Sequence, residues 1–291
     1  MKRVLVIGAT GMLGQPVAQQ LQKGGFQVRI LSRNIQRSQS IFGDNFEFVE
    51  GDVERPATIA KALENCDGVH INLKAGPTPE SYDQVEHKGT ATVARLAKEL
   101  GVERLTYLSG ATTSKENTWF YVAKAKYDAE NAIRESGVSY TIFRASWFME
   151  TLNLFVRGNR ALKFGKQPSP VHWIAAADYA EMVSKAYKIT ASENKTLYVY
   201  GLEKISLLDA LKTYCTIVRP DVKVITMPIW MMKMMAVFSR NAELKDVANL
   251  MAYYENITEE ADPSETYQIL GTPTTTLPEW CRTQKYGADE Q

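Results

Sequence analysis

The sequence predicts an α/β fold, a doubly wound parallel sheet with a small mixed C-terminal lobe. Two observations carry that reading. Short apolar runs alternate six times with segments of helical period, the pattern of strands joined by crossover helices. The runs are mostly continuous rather than alternating, as expected where helices cover both faces of a sheet.

The strand candidates are RVLVIG (3–8), QVRILS (27–32), FEFVEG (46–51), GVHINL (68–73), RLTYLS (104–109) and YTIFRA (140–145). Among the intervening helices the clearest covers 81–101. There Val85, Val93, Leu96, Ala97 and Leu100 mark an apolar stripe, and Gly101 stands where a helix C-cap belongs. After about residue 146 the rhythm breaks into loops, one or two short strands and a helix entered at Asp178. Asp178 and Glu181 form an Asp-x-x-Glu capping pattern. The tail is methionine-rich from Pro228, then acidic, then rich in Pro and Thr. These shifts divide the chain into a dinucleotide-binding core, 1–146, and a smaller substrate lobe, 147–291, that contributes partly to the core sheet.

Composition excludes several classes. The formal net charge is +1, so nothing global favours nucleic acid or an acidic membrane. Cys66, Cys215 and Cys281 are too scattered for a disulfide set, and with His70, His87 and His172 they show no metal-ligand spacing. No metal site is expected, and the thiols read as reduced, which points to a cytoplasmic protein. The opening apolar run is too short for a signal segment. The greasiest later stretch, 227–238, carries Lys233 and falls well short of the roughly 20 residues a membrane span needs.

The first strand candidate runs into GATGMLG, which places Gly8, Gly11 and Gly14 between strand and helix. In that context each glycine has a task in holding a dinucleotide. Gly8 allows the tight turn, Gly11 lets the backbone approach a pyrophosphate, and Gly14 permits close helix–strand packing. The helix N-terminus then supplies donors and dipole. The alternative is a glycine-rich turn with no ligand. The second strand ends in Ser32-Arg33-Asn34, where an acid would accept the ribose 2′-hydroxyl of NAD. Arg33 instead suits a 2′-phosphate, favouring NADP(H) over NAD(H), unless it is simply a solvated surface arginine. Asp52, past the third strand, is placed either to meet the adenine amino group or to N-cap the helix after Pro56.

On GATGMLG (8–14), LSRN (31–34), GDVERP (51–56), residues 87–110, residues 124–150 and GTPTTTLPEW (271–280), the chain resembles the atypical short-chain dehydrogenase/reductases, and among them the NmrA-like family of NAD(P)-binding Rossmann proteins. The resemblance covers most of the chain. It extends the implied cofactor contacts to Thr10, Met12, Leu13, Val53 and Leu73. It also implies a catalytic role for Lys124, which would hold the nicotinamide ribose, and for Ser109, which would orient substrate. Otherwise Lys124 is a surface lysine and Ser109 a strand-end cap. The family includes NADPH-dependent reductases of quinones, dyes and phenylpropanoids, and regulators that bind the dinucleotide without turnover.

Three positions depart from the wider pattern. Phe120 stands four residues before Lys124, where the superfamily has its proton-donating tyrosine. His87 replaces a common asparagine, and Ala145-Ser146 replaces a common Pro-Gly. Tyr121 is turned about 100° from the Phe120 position, which does not favour its serving as the acid. A quinone or conjugated dye, however, accepts hydride and delocalises the charge without a dedicated acid. The leading expectation is therefore an oxidoreductase passing hydride from NADPH to a quinone-like or other conjugated aromatic acceptor. The alternatives are a non-catalytic redox sensor acting through a protein partner, or an assembly factor. In the lobe, Arg157, Arg160, Lys163 and Lys166 accumulate without an acid between Thr151 and Ala177. They form either a solvated face or a site for anions. Trp147, Phe148, Trp173 and the methionines at 231–235 either line an aromatic pocket or make the lobe's own core.

Overall fold

The computed structural model describes residues 2–284. In chain order the elements are β1 (Arg3–Ile7), α1 (Gly14–Lys23), β2 (Gln27–Ser32), α2 (Ile35–Phe42), β3 (Glu47–Glu50), α3 (Pro56–Leu63) and β4 (Gly68–Ile71). A composite helix follows: α4 (Pro79–Ser81), a π-helical stretch (Tyr82–Gly89) and α5 (Thr90–Glu99). Then come β5 (Arg104–Gly110), α6 (Tyr121–Ser136), β6 (Tyr140–Ala145), β7 (Val156–Arg157), β8 (Arg160–Phe164), β9 (Val171–His172), α7 (Ala176–Ala186) and β10 (Lys195–Val199). The chain continues through β11 (Lys204–Ile205), α8 (Leu207–Val218), β12 (Lys223–Met227), α9 (Ile229–Phe238), α10 (Ala242–Tyr254), α11 (Ser264–Leu270) and α12 (Leu277–Thr283).

The chain divides into two compact units. The first comprises Met1–Ala145, Tyr179–Val199 and Asp262–Thr272. Its seven-stranded sheet has the order β10-β6-β5-β4-β1-β2-β3, with every neighbouring pair parallel. Leu5, Val69, Leu105 and Ile142 are fully buried in its core. Strand order reverses between β1 and β4, so the crevice beyond their C-terminal ends is the switch point where such sheets bind ligands. Six strands fall where the apolar runs put them, and the fold is the expected Rossmann-like sheet. The seventh, β10, joins beside β6.

Two local expectations are corrected. Between Tyr82 and Gly89 the helix widens to π geometry, which the expected 3.6-residue period does not describe. Val85 packs partly buried against the core as expected, and Glu86 beside it is buried as well, 3% exposed. The stripe's far end differs, with Leu100 46% exposed. Secondly, α7 begins at Ala176, two residues before the expected entry at Asp178. The Ala176 N–H donates to both carboxylate oxygens of Glu150 at 3.1 Å, so the cap comes from 26 residues upstream. Asp178 instead accepts from the Thr275 N–H at 3.0 Å.

The second unit comprises Ser146–Asp178, Tyr200–Ala261 and Pro273–Gln291. It has a mixed three-stranded sheet, β12-β8-β7, and an antiparallel pair, β11-β9. Met149, Leu152, Trp173, Leu211 and Leu277 are buried in its own core. Among the described residues no helix is long and apolar enough to cross a membrane.

Candidate functional site

The turn from β1 into α1 is built so that only glycine fits at two of its three positions. Gly8 has φ +83°, and a Cβ there would lie 1.8 Å from the Asn72 carbonyl oxygen just past β4. At Gly14 a Cβ would lie 2.1 Å from the Gly8 carbonyl oxygen, so this glycine brings the helix start onto the turn. Gly11 differs: a Cβ would meet only the Gly8 oxygen, at 3.3 Å, and otherwise faces open space. Gly11 and Met12 are exposed, while Thr10 and Leu13 are half-buried. Leu13 precedes α1 without a side-chain cap, and the helix's first turn holds no acid. Gln15 already donates its N–H to the Gly11 carbonyl at 3.0 Å and Pro16 has none to offer, so what the start of α1 presents is the positive end of its dipole, which meets no competing carboxylate. This cradle fits a pyrophosphate.

Beyond β2, Arg33 is exposed, and among the described residues no hydrogen bond or ion pair engages its guanidinium. Asn34 beside it is committed to the fold, its Oδ1 accepting the Arg37 N–H at 2.9 Å to cap α2. Asp52 does not cap α3; Arg55 occupies the N-cap position without a side-chain bond. The Asp52 carboxylate accepts from the Glu54 N–H at 3.1 Å, in a local turn. Val53 is buried against Gly89 of the π-helical stretch, and Leu73 packs partly buried past β4.

Helix α6 presents two lysines with opposite fates. Lys124 is 58% exposed, with Nζ 2.5 Å from Asp128 one turn along. Lys126 is 19% exposed and turned toward the sheet. Its Nζ donates to Glu86 at 3.2 Å and approaches the Leu108 carbonyl, near the C-terminal end of β5, at 3.4 Å. It also lies 5.6 Å from the centre of the Tyr107 ring. Sequence reasoning passed over Lys126, although a signal existed. It lies on one helical face with Ala123, Glu130 and Ile133, all buried, at spacings of three, four and seven.

The positions where the resemblance implies a proton donor and a substrate-orienting hydroxyl offer neither freely. Phe120 is 5% exposed and packs on Tyr121 with ring centroids 4.8 Å apart. The Tyr121 ring in turn stands edge-on to Tyr82 at 5.4 Å. Ser109 is 3% exposed, and its hydroxyl donates to Glu130 Oε1 at 2.7 Å. Glu130 is fully buried and also accepts from Arg134 and Arg144, both at 2.7 Å to Oε2. Such a carboxylate tolerates burial because its charge is paired and hydrogen-bonded. Ser109 is thereby held in the network behind β5.

In the second unit the aromatic residues pack on one another. Trp173 is 1% exposed and donates its Nε1 hydrogen to the Ile205 carbonyl; Trp147 stands edge-on to Trp173 and Tyr254 at 5.5 and 4.9 Å. The cavity beside Trp147, Gln167 and Tyr254 is about 10 Å³, room for about one water and not for an aromatic ring. The basic residues do not form one face. Lys163 is buried, donating to the carbonyls of Gly165 and Lys166, and burial holds its ammonium pKa below the ordinary value. Glu259 is also buried, and the Ser146 hydroxyl donates to its Oε2 at 2.5 Å. Burial pushes the Glu259 carboxyl up to about 7, against the lowering effect of that hydrogen bond. Among the described residues no group of His, Cys, Asp and Glu could hold a metal ion.

Comparison with known proteins adds to this geometry. A family model described as NAD(P)H-binding matches residues 8–188, from the first glycine of the turn into the segment leading to β10. The photosystem II assembly factor Ycf39 of Trieres chinensis is 23% identical, over 92% of this chain and 86% of that protein. An NAD(P)H azoreductase of Xenophilus azovorans is 25% identical, over 70% of this chain and 69% of its own length. Among solved structures, the NADPH-dependent quinone oxidoreductase of Escherichia coli, complexed with NADPH, superposes with TM-score 0.72. It covers 96% of this chain and 98% of that one at 21% identity, a likeness of fold.

Proposed function

This chain belongs to the NAD(P)H-binding family, and from that premise we propose that it is an NADPH-dependent reductase of quinone-like or other conjugated acceptors. When bound, the dinucleotide supplies hydride. In our reading the chain's own residues do the rest. The turn Gly8–Gly14 and the positive end of α1 hold the pyrophosphate. Arg33, uncommitted beside a capping asparagine, takes the 2′-phosphate through charge-assisted bonds, which is the basis for preferring NADPH. Asp52, Val53 and Leu73 border the adenine and ribose side. Lys126, rather than the solvent-facing Lys124, meets the nicotinamide ribose, because its ammonium is the one held near the C-terminal end of β5.

One observation carries the choice of acceptor. Phe120 is apolar and buried, and the Ser109 hydroxyl is given to Glu130. A simple ketone needs a proton delivered as its alkoxide develops, whereas a conjugated acceptor disperses the charge. The azoreductase and quinone oxidoreductase likenesses support that acceptor class.

A second reading, a dinucleotide-dependent assembly factor or regulator acting through a protein partner, draws on the same buried Phe120. The Ycf39 likeness, which covers 92% of this chain, also favours it. NADPH oxidation by the purified protein against quinones, azo and cationic dyes and one ketone separates the two readings. The reductase reading expects turnover of at least one conjugated acceptor and none of the ketone. Firm NADPH binding with no turnover across the panel would leave the assembly or regulatory reading in its place.

A further inference from the structure

Helix α9 is apolar on nearly every side, yet it is not interior. Met232 and Ala236, one turn apart, face inward. Trp230, Met231, Met234, Met235, Val237 and Phe238 are all exposed, Trp230 at 61%, Val237 at 69% and Phe238 at 80%. An ordinary surface helix spends its outward positions on polar side chains; here Lys233 is the only charged residue the helix carries. A contiguous apolar face of this kind marks an interaction surface. It belongs wholly to the second unit.

We propose that α9 docks the protein in the plane of an anionic lipid surface, its outward face entering the headgroup–acyl boundary. The charges around the helix select this occupant. From Val222 to Ala242 there is no acid, while Lys223, Lys233 and Arg240 are cationic. The acids that flank it are engaged or accompanied by a cation: Asp221 pairs with Arg219, Lys245 stands between Glu243 and Asp246, and Glu255, close to Ile229 across Gly165, accepts the Lys166 N–H. A two-fold pairing with a second copy would bring Lys233 and Arg240 toward their own counterparts, with no acid on α9 to offset them. Lipid phosphates supply the missing countercharge. Unlike an isolated interfacial helix, α9 has no charged face of its own because its inward side packs on the protein; its outward tryptophan and phenylalanine, with Lys233 and Arg240 beside them, are the anchor types that enter a bilayer interface. The helix is far too short to span, so attachment is peripheral and salt-sensitive.

The full chain is tested by co-sedimentation with vesicles of phosphatidylcholine alone and of phosphatidylcholine with phosphatidylglycerol, at low and high salt. The expected result is binding to the anionic vesicles, weaker on neutral ones and weakened by salt. The double substitution Trp230→Glu, Phe238→Glu should lower the bound fraction at least about tenfold, with circular dichroism and NADPH affinity unchanged. Failure of the parent protein to bind anionic vesicles at low salt overturns the proposal. So does a dimer, seen by light scattering, that the double substitution dissociates; that result would assign the face to a second copy.

Discussion

At the scale of single residues, the unused charges are the informative ones. Arg33 is uncommitted where a 2′-phosphate would sit, so Arg33→Ala should narrow the affinity gap between NADPH and NADH, each tenfold amounting to about 1.4 kcal/mol. Calorimetry with both cofactors measures it, and equal affinities in the parent protein would defeat the assignment. The two lysines of α6 provide a paired control. Lys126→Ala should weaken dinucleotide binding, whereas Lys124→Ala removes only an exposed ion pair and should leave affinity and stability nearly unchanged. Glu259 gives a pH signature. Its folded-state pKa, about 7, lies above the ordinary glutamate value of 4.5, so the native state holds this proton more tightly than the unfolded chain. The associated stability is fully present below about 4.5 and is lost as pH rises through about 7, by at most about 3 kcal/mol. Glu259→Gln should flatten that decline in thermal melts recorded from pH 5 to 8.

Elements show where local sequence suffices and where it does not. The glycine turn could be read directly, because its requirements, positive φ at Gly8 and close approach at Gly14, are local and only glycine meets them. A test follows from the unequal space around the three glycines. Gly11→Val should keep the fold but lose dinucleotide affinity, since its side chain projects where the pyrophosphate belongs. Gly14→Ala should instead cost about 2 kcal/mol or more in denaturant unfolding, because its Cβ would meet the Gly8 carbonyl at 2.1 Å. The six strand runs were legible for a related reason: burial on both faces writes continuous hydrophobicity into the chain. What escaped was non-local. The N-terminus of α7 is capped by a carboxylate from another element, and no pattern around Asp178 encodes that. The π-helical stretch buries Glu86 beside Val85, where its carboxylate meets Lys126 from another helix. The inward turn of Lys126 is a different case: its spacing with Ala123, Glu130 and Ile133 marks that face, but the motif spacing from Phe120 draws attention to Lys124.

For the whole molecule, the decisive feature is that the first unit is assembled from three separate stretches of chain. β6 is an interior strand only because β10 covers it, and β10 belongs to a segment that follows the first excursion into the second unit. During translation the β6 edge must therefore wait, from the synthesis of Ala145 to that of Lys195, with its N–H and C=O groups unpaired. At about 5–20 residues per second that wait lasts on the order of seconds, long for a nascent chain offering an open strand to its neighbours on a polysome. A chain ended at residue 146 would keep this edge open permanently. It should self-associate through Tyr140–Ala145 as it leaves the ribosome, and light scattering of the freshly synthesised fragment would detect it. A monomeric fragment that still bound the dinucleotide would show that the late strand is dispensable. Otherwise, ribosome pausing ahead of Lys195, or a holdase occupying β6 in the interval, would govern how much of this protein reaches its native state.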